Sequence, residues 1–261
     1  MKTKLFTALV LFSACTTAEK KENVSVAGAY KMVSQEVKTS KADSTYTDYP
    51  QMKIYGDGYM MYAGYNPADS VSGFGIGTYT VSMDTVTESI LYNASDTSFS
   101  ENPGQFSLVI EKTIPGYKQV ISGMKSNSGD TMQLTEIYDS VGTPSASALD
   151  GAWQQVKSYT IKGADTSSWP IHQFKTYGSG HFIWGHSYQD SAKHTHSGVG
   201  FGTFQLDGNN LVEKLTASSY SQSAGKDYKI GITMDGTDGF TQMMVNADSS
   251  KSYEVYQRIK K

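Results

Sequence analysis

The sequence predicts an all-β protein made of two tandem antiparallel meander β-barrels with about eight strands each. Tyrosine, glycine and phenylalanine are abundant, at 18, 25 and 10 residues, and this composition favours strands and turns over helices. The second half of the chain also repeats the pattern of the first half. Within each half, short alternating segments are separated by turn residues, as expected for strands in a meander.

The duplication is visible in four ordered matches, which are 118 to 125 residues apart. The clearest pairs SGFGIGTY at 72–79 with SGVGFGTF at 197–204. The others pair 28–30 with 151–153, 55–58 with 177–180, and 136–138 with 254–256. A period this long indicates a duplicated domain rather than a solenoid.

The matches divide the chain into a first module at 28–140, a linker at 141–150 and a second module at 151–261. The linker, VGTPSASALD, is small, polar and contains proline. In the second module we expect strands near 152–160, 170–177, 181–188, 196–206, 210–219, 227–235, 239–246 and 252–259. Eight strands joined by short turns form a meander, and closing it into a barrel removes exposed edges.

Alternating glycines mark one strand in each module, Gly73-x-Gly75-x-Gly77 and Gly198-x-Gly200-x-Gly202. Residues two apart face the same side of a strand, so one face of this strand carries no side chains. Such a face allows sharp bending, or lets an aromatic ring or a ligand lie against the backbone. Gly75 and Gly200 are therefore candidate ligand contacts.

The start of the chain is typical of a secreted protein. Residues 1–14 combine two lysines with a short apolar run and predict a signal peptide. Leu11 to Cys15 resembles a bacterial lipobox, although Phe12 departs from its usual pattern. The resemblance implies that Cys15 is lipidated, with acyl chains such as palmitate, and that residues 15–27 form a tether. Thr16 then favours the outer membrane, facing either the periplasm or the surface. The alternative is an ordinary signal peptide with an incidental cysteine.

A glycine-x-tryptophan on the first strand of an eight-stranded meander resembles the lipocalin family. The second module has Gly151-Ala152-Trp153 and carries Arg258 on its last strand. The resemblance implies that Arg258 packs across Trp153 and closes one end of a lipocalin-like barrel. The first module has Tyr30 and Ser140 at these positions, so its end must close differently. The alternative for Trp153 is a core residue of any β-sandwich.

The five histidines all lie between 172 and 196. His194 and His196 would face the same way on a strand, and His186 could lie across the turn from them. Three imidazoles at one rim could hold zinc, copper or a haem iron. The alternative is a set of polar residues in an exposed hairpin.

Glutamates of the strands, including Glu88, Glu136, Glu213 and Glu254, are expected to face solvent. A carboxylate inside a barrel would instead pair with a lysine or bind a polar ligand group. We find no G-x-S-x-G elbow, and the single cysteine is assigned to the anchor. The sequence therefore predicts no enzyme activity and no cofactor.

Ligand binding is the favoured function. Two lipocalin-like barrels in the cell envelope would bind a small apolar or amphipathic ligand, with Tyr62 and Trp184 as candidate contacts. The first alternative is a structural or interaction subunit of an envelope assembly with filled barrels. The second is metal or haem binding by the histidines. The membrane, through the anchor, and an envelope protein are the expected partners. Nucleic acid is not, because the net charge is −3 and there is no basic stripe.

Overall fold

The protein is described from a computed structural model, which covers residues 23–96, 98–125, 129–142, 145–168 and 171–260. All its regular elements are β-strands. The first module contains β1 Gly28–Thr39, β2 Asp43–Tyr46, β3 Gln51–Gly56, β4 Tyr59–Tyr65, β5 Ser72–Ser82, β6 Thr85–Asn93, β7 Gly104–Lys112, β8 Gly116–Lys125 and β9 Thr131–Ser140. The second contains β10 Gly151–Lys162, β11 Asp165–Ser167, β12 His172–Gly178, β13 His181–Gln189, β14 Thr195–Asp207, β15 Asn210–Ser218, β16 Asp227–Asp235, β17 Gly239–Val245 and β18 Lys251–Arg258.

Each module is a closed antiparallel barrel, which confirms the predicted fold class. The first sheet runs β2-β1-β3-β4-β5-β6-β7-β8-β9, and β1 also pairs with β9. The second sheet repeats this order from β11 to β18, and β10 pairs with β18. Eight strands therefore form each ring, here called barrel 1 and barrel 2. The short strands β2 and β11 pair with the C-terminal part of the first strand of each barrel, β1 and β10. Sequence reasoning missed them because they have four and three exposed residues.

Tight turns occur where the sequence predicts them. The β3–β4 hairpin turns at Asp57 and Gly58, with φ of 51° and 74°. The matching β12–β13 hairpin turns at Ser179 and Gly180, with φ of 53° and 72°. Two successive residues with positive φ make a type I′ turn, whose twist matches that of the flanking strands. These turns fix the register that sends each side chain inward or outward.

The barrels pack against each other through their outer faces. One cluster of buried apolar residues draws on both modules and includes Ile54, Phe74, Phe174 and Val199. Each barrel also has its own inner cluster. Strands β3–β5 and β12–β14 therefore have apolar residues on both faces.

The contact between the barrels is approximately two-fold symmetric. Ser72 and Ser197 occupy matching positions and bond reciprocally: each hydroxyl donates to the other's backbone oxygen, at 3.0 and 2.8 Å. A residue that touches its own counterpart lies on a two-fold axis. The linker is packed as well, since Leu149 is fully buried in the inner cluster of barrel 2.

Candidate functional site

Each barrel contains a buried ion pair. In barrel 1, Lys53 Nζ lies 3.0 Å from Glu88 Oε1, and both side chains are less than 5% exposed. In barrel 2, Lys175 Nζ lies 2.9 Å from Glu213 Oε1, with similar burial. Removing charges from water has a large free-energy cost unless they are paired and hydrogen-bonded. Such an arrangement in both modules is the most unusual feature of their interiors.

A glutamine connects each lysine to a second carboxylate. Gln119 accepts a bond from Lys53 at 3.4 Å through Oε1 and donates to Glu136 at 2.5 Å through Nε2. Lysine only donates, so this orientation of the amide follows from the chemistry of its neighbours. In barrel 2, Gln242 links Lys175 to Glu254 in the same way, at 3.1 and 2.6 Å. The order Glu–Lys–Gln–Glu is called the polar relay below.

The second carboxylate of each relay is surrounded by donors. Glu136 accepts from Gln35 at 2.8 Å, from Gln51 at 3.2 Å and from the Tyr138 hydroxyl at 3.0 Å, besides Gln119. All four partners are donors, so Glu136 is their common acceptor. Each relay combines two acidic side chains with a single lysine.

Glu254 has three of these four donors at equivalent positions in barrel 2. Gln173 donates to it at 3.0 Å and the Tyr256 hydroxyl at 2.6 Å. Position by position, Gln173 matches Gln51 and Tyr256 matches Tyr138. The two relays are thus equivalent in their four members and differ in one supporting contact, because Ser158 stands where Gln35 donates to Glu136.

Buried tyrosine hydroxyls complete the relays. Tyr55 donates to Glu88, and Tyr177 donates to Glu213. Burial, reinforced by the neighbouring carboxylate, raises the pKa of both hydroxyls well above the ordinary value. Both therefore stay neutral donors at physiological pH.

A cavity lies above each relay. It measures about 180 Å³ in barrel 1 and about 200 Å³ in barrel 2. The relay side chains form its floor, and larger, mostly apolar side chains form the walls toward the open end, here called the mouth. The wall residues of barrel 1 are Tyr62, Ile90, Phe106, Ile121, Met124 and Leu134, and those of barrel 2 include Trp184, His186, Leu215, Tyr228 and Met244.

The expectation that the strand glutamates face solvent was wrong for Glu88, Glu136 and Glu213, which are at most 5% exposed, and for the half-buried Glu254. On β6 and β15, Glu88 and Glu213 alternate in step with buried apolar residues such as Val86 and Leu215. The alternation therefore pointed inward, and only the charge of the side chains argued for solvent. The relays left one further signal in the sequence. Lysine, glutamate and glutamine recur at matching strand positions of both modules, whereas positions exposed to solvent would be free to differ between the two copies.

The candidate ligand residues occupy two kinds of position. Tyr62 and Trp184 match each other and line the two cavities. Gly75 and Gly200 lie beneath them: a Cβ atom on either glycine would come within 2.6 Å of the Tyr62 ring or 2.5 Å of the Trp184 ring. The bare face of the glycine strand therefore holds an aromatic ring, and the ring faces the cavity.

The closed end of barrel 2 has the tryptophan–arginine contact that the lipocalin resemblance implies. The Arg258 guanidinium carbon lies 4.1 Å from the centroid of the Trp153 ring. Arg258 also donates to the backbone oxygens of Asp150 and Thr237, at 2.9 and 3.0 Å. Gly151 has a φ of 130°, which favours glycine, and a Cβ atom there would also lie 2.0 Å from Arg258 Nη1.

The same end of barrel 1 is closed by tyrosines. Tyr30 pairs with Ser140 in the register in which Trp153 pairs with Arg258. Its ring packs edge-on against Tyr117, with 4.7 Å between centroids. Packing of rings thus replaces the cation–π contact.

The three histidines proposed as metal ligands are not brought together. His186 lies inside barrel 2, where its Nε2 is 2.8 Å from the Tyr220 hydroxyl and burial lowers its pKa to about 4. His194 and His196 are exposed and both contact Asp190, at 3.3 and 3.0 Å. Among the described residues, no group of three or more His, Cys, Asp or Glu side chains has the geometry of a metal site.

The predicted signal peptide at 1–14 and Cys15 lie outside the described residues, as does most of the tether at 15–27. In the part of the chain that the structure describes, no helix has the length and apolar character needed to cross a membrane.

Comparison with known proteins adds little to this picture. No protein-family model matches the chain, and no curated protein does. Among solved structures, the chain is similar to a protein of unknown function of the DUF3598 family from Nostoc punctiforme. The match covers 89% of this chain and 96% of that one, at 11% identity and a TM-score of 0.27.

Proposed function

We propose that each barrel binds one small amphipathic molecule, with its polar end on the relay and its apolar part along the wall toward the mouth. The observation that carries the proposal is the duplicated relay beneath a cavity in both barrels. An eight-stranded barrel is just wide enough to be filled by side chains or to hold one small ligand. Cavities of about 180 and 200 Å³ support the second case.

The charge of the relay indicates which polar end is favoured. Two carboxylates and one ammonium group leave one negative charge in excess, in a site partly shielded from water. Electrostatic interactions there are stronger than in bulk water. A ligand end that is positively charged or donates hydrogen bonds is therefore attracted, and a carboxylate end is repelled.

The alternative role as a structural subunit with filled barrels is less well supported. It calls for barrels without cavities and for an apolar surface available to a partner. The large apolar patch on β3–β5 and β12–β14 is already occupied, because the two barrels bury it against each other.

The lipid anchor is the second part of the proposal. Lipidation at Cys15 would hold the barrels at the cell envelope, on the outer membrane. Acyl chains anchor a protein because each buried methylene contributes about 0.8 kcal/mol. Replacing Cys15 by alanine should move the protein from the membrane fraction to the soluble fraction and abolish incorporation of labelled palmitate. A variant that stays membrane-bound and labelled would contradict the anchor.

Head-group preference tests the ligand proposal. Octylamine, octanol and octanoate share an alkyl chain and differ in charge, and calorimetric titration of the full-length chain would rank them. We expect the amine to bind most tightly and octanoate most weakly. Glu136→Gln and Glu254→Gln together remove one carboxylate from each barrel. They should reduce the difference in affinity between octylamine and octanoate. Absence of binding by all three probes, or tighter binding of octanoate than of octylamine, would overturn the proposal.

A further inference from the structure

The mouths of the two barrels differ in the loop that follows β6 in barrel 1 and β15 in barrel 2. Gly75 pairs with Asn93, and Gly200 pairs with Ser218, so the loop after β6 corresponds to the loop after β15. Two residues beyond these, barrel 1 has Ser95 and barrel 2 has Tyr220. A small residue therefore occupies in barrel 1 the place of a large aromatic residue in barrel 2.

Tyr220 lies at the edge of the mouth of barrel 2, against Trp184 and His186, which line the cavity. A Cβ atom on Gly198 would lie 2.5 Å from the Tyr220 hydroxyl, so the ring fills the space above this glycine. The ring stacks on Trp184, with 6.1 Å between centroids, and its hydroxyl lies 2.8 Å from His186 Nε2. Tyr220, Trp184 and His186 together form an aromatic cap.

The equivalent space in barrel 1 is open. A Cβ atom on Gly73, the counterpart of Gly198, would have no neighbouring atom within 4 Å. Ser95 is too short to reach it, and its hydroxyl donates to Asn93 at 2.5 Å. An outer cavity of about 410 Å³ lies here, and Gly73, Asn93 and Asp96 are among its lining residues.

The outer cavity of barrel 1 adjoins the inner one. Tyr62, Ile90 and Phe106 line both. A ligand that contacts the relay can therefore continue past these three side chains. In barrel 2 the corresponding path meets Trp184 with Tyr220 stacked on it.

We propose that barrel 1 binds an elongated amphipathic molecule that extends from the relay past Tyr62 into the outer cavity, whereas Tyr220 restricts barrel 2 to a compact one. This inference rests on the proposed function. It assigns specificity to Tyr220 and Ser95, and it adds the outer cavity of barrel 1 to the binding site.

Methionine methyl groups allow each barrel to be observed separately. Met124 lines the inner cavity of barrel 1, and Met244 lines the cavity of barrel 2. NMR of the full-length chain with ¹³C-methyl methionine would follow both signals during titration with butylamine, hexylamine and decylamine. At Met124 we expect affinity to rise by about fourfold per methylene buried. At Met244 we expect the affinity to rise among the shorter amines and to rise no further with decylamine.

Placing serine at Tyr220 or tyrosine at Ser95 should give each barrel the chain-length dependence of the other. Tyr220→Ser should let the affinity at Met244 increase up to decylamine, and Ser95→Tyr should limit the affinity at Met124. Tyr220→Phe keeps the ring without the hydroxyl and should retain the restriction in barrel 2. Because the two exchanges alter different barrels, failure of one variant to fold leaves the other as a test.

Two results are distinguishable. If neither methyl group responds to any amine, the proposed function fails and the inference fails with it. If both respond with the same chain-length dependence in the unaltered protein, or the exchanges change nothing, the inference is overturned while the proposed function stands.

Discussion

Barrels 1 and 2 share their floor and differ at both ends. The relay recurs with the same residue types and closely similar contacts, whereas the closed end uses tyrosines in one barrel and Trp153 with Arg258 in the other. The mouths differ through Ser95 and Tyr220. Because the four relay residues are the same while both ends have changed, we infer that the relay is the part of the duplicated module that both barrels need.

The largest expected effect comes from breaking the shared floor. Lys53→Met and Lys175→Met each leave a buried glutamate, Glu88 or Glu213, without its cation, and we expect each to lower the free energy of unfolding by about 3–5 kcal/mol. Urea unfolding followed by circular dichroism would measure it. The two losses should be similar, because the two ion pairs are equally buried.

An exposed pair supplies the control for this measurement. Lys118 and Glu111 lie 2.9 Å apart with side chains that are 39% and 67% exposed. Lys118→Met should change stability by less than about 1 kcal/mol. If a relay lysine proved as replaceable as Lys118, the relay would not be the common requirement of the two barrels.

The next effect is a pH dependence confined to barrel 2. Burial lowers the pKa of His186 to about 4, against about 6.5 in an unfolded chain. The unfolded state therefore binds the proton more readily. The stability associated with neutral His186 is complete above about pH 6.5 and is lost as the pH falls toward 4, by up to about 3 kcal/mol.

Replacing the imidazole tests this dependence. His186→Gln should lose less stability than the unaltered protein between about pH 7 and about pH 4.5, measured by urea unfolding. Gly64 occupies the matching position of barrel 1, so no equivalent group titrates there. If the free energy of unfolding depended on pH identically in both proteins, His186 would not be the source of the acid destabilisation.

The smallest effect separates the closed ends. Arg258→Ala removes a cation–π contact and two hydrogen bonds to backbone oxygens, and we expect a loss of about 1–2 kcal/mol. Ser140→Ala, at the matching exposed position, should change stability by less than about 0.5 kcal/mol. Thermal unfolding of both variants would measure the difference, and equal effects would mean that Arg258 contributes nothing particular to closure.

The sequence by itself determined the architecture. Turn residues such as Asp57-Gly58 and the alternation between turns predicted the eight strands of each ring, and the repeated segments predicted the duplication. The pairing of Trp153 with Arg258 followed from the lipocalin resemblance. These features are local or recur at a fixed spacing, so they can be recognised without knowing which residues meet in space.

Only the tertiary structure decided which side of each strand is inside. Strands β3 and β12 are buried on both faces, because one face lines a barrel and the other lies between the barrels. Alternation distinguishes two faces and does not say which one encloses the cavity. The inward direction of Lys53 and Lys175 therefore depends on how the strands close into barrels. The same is true of the separation of His186 from His194 and His196, and of the cap formed by Tyr220.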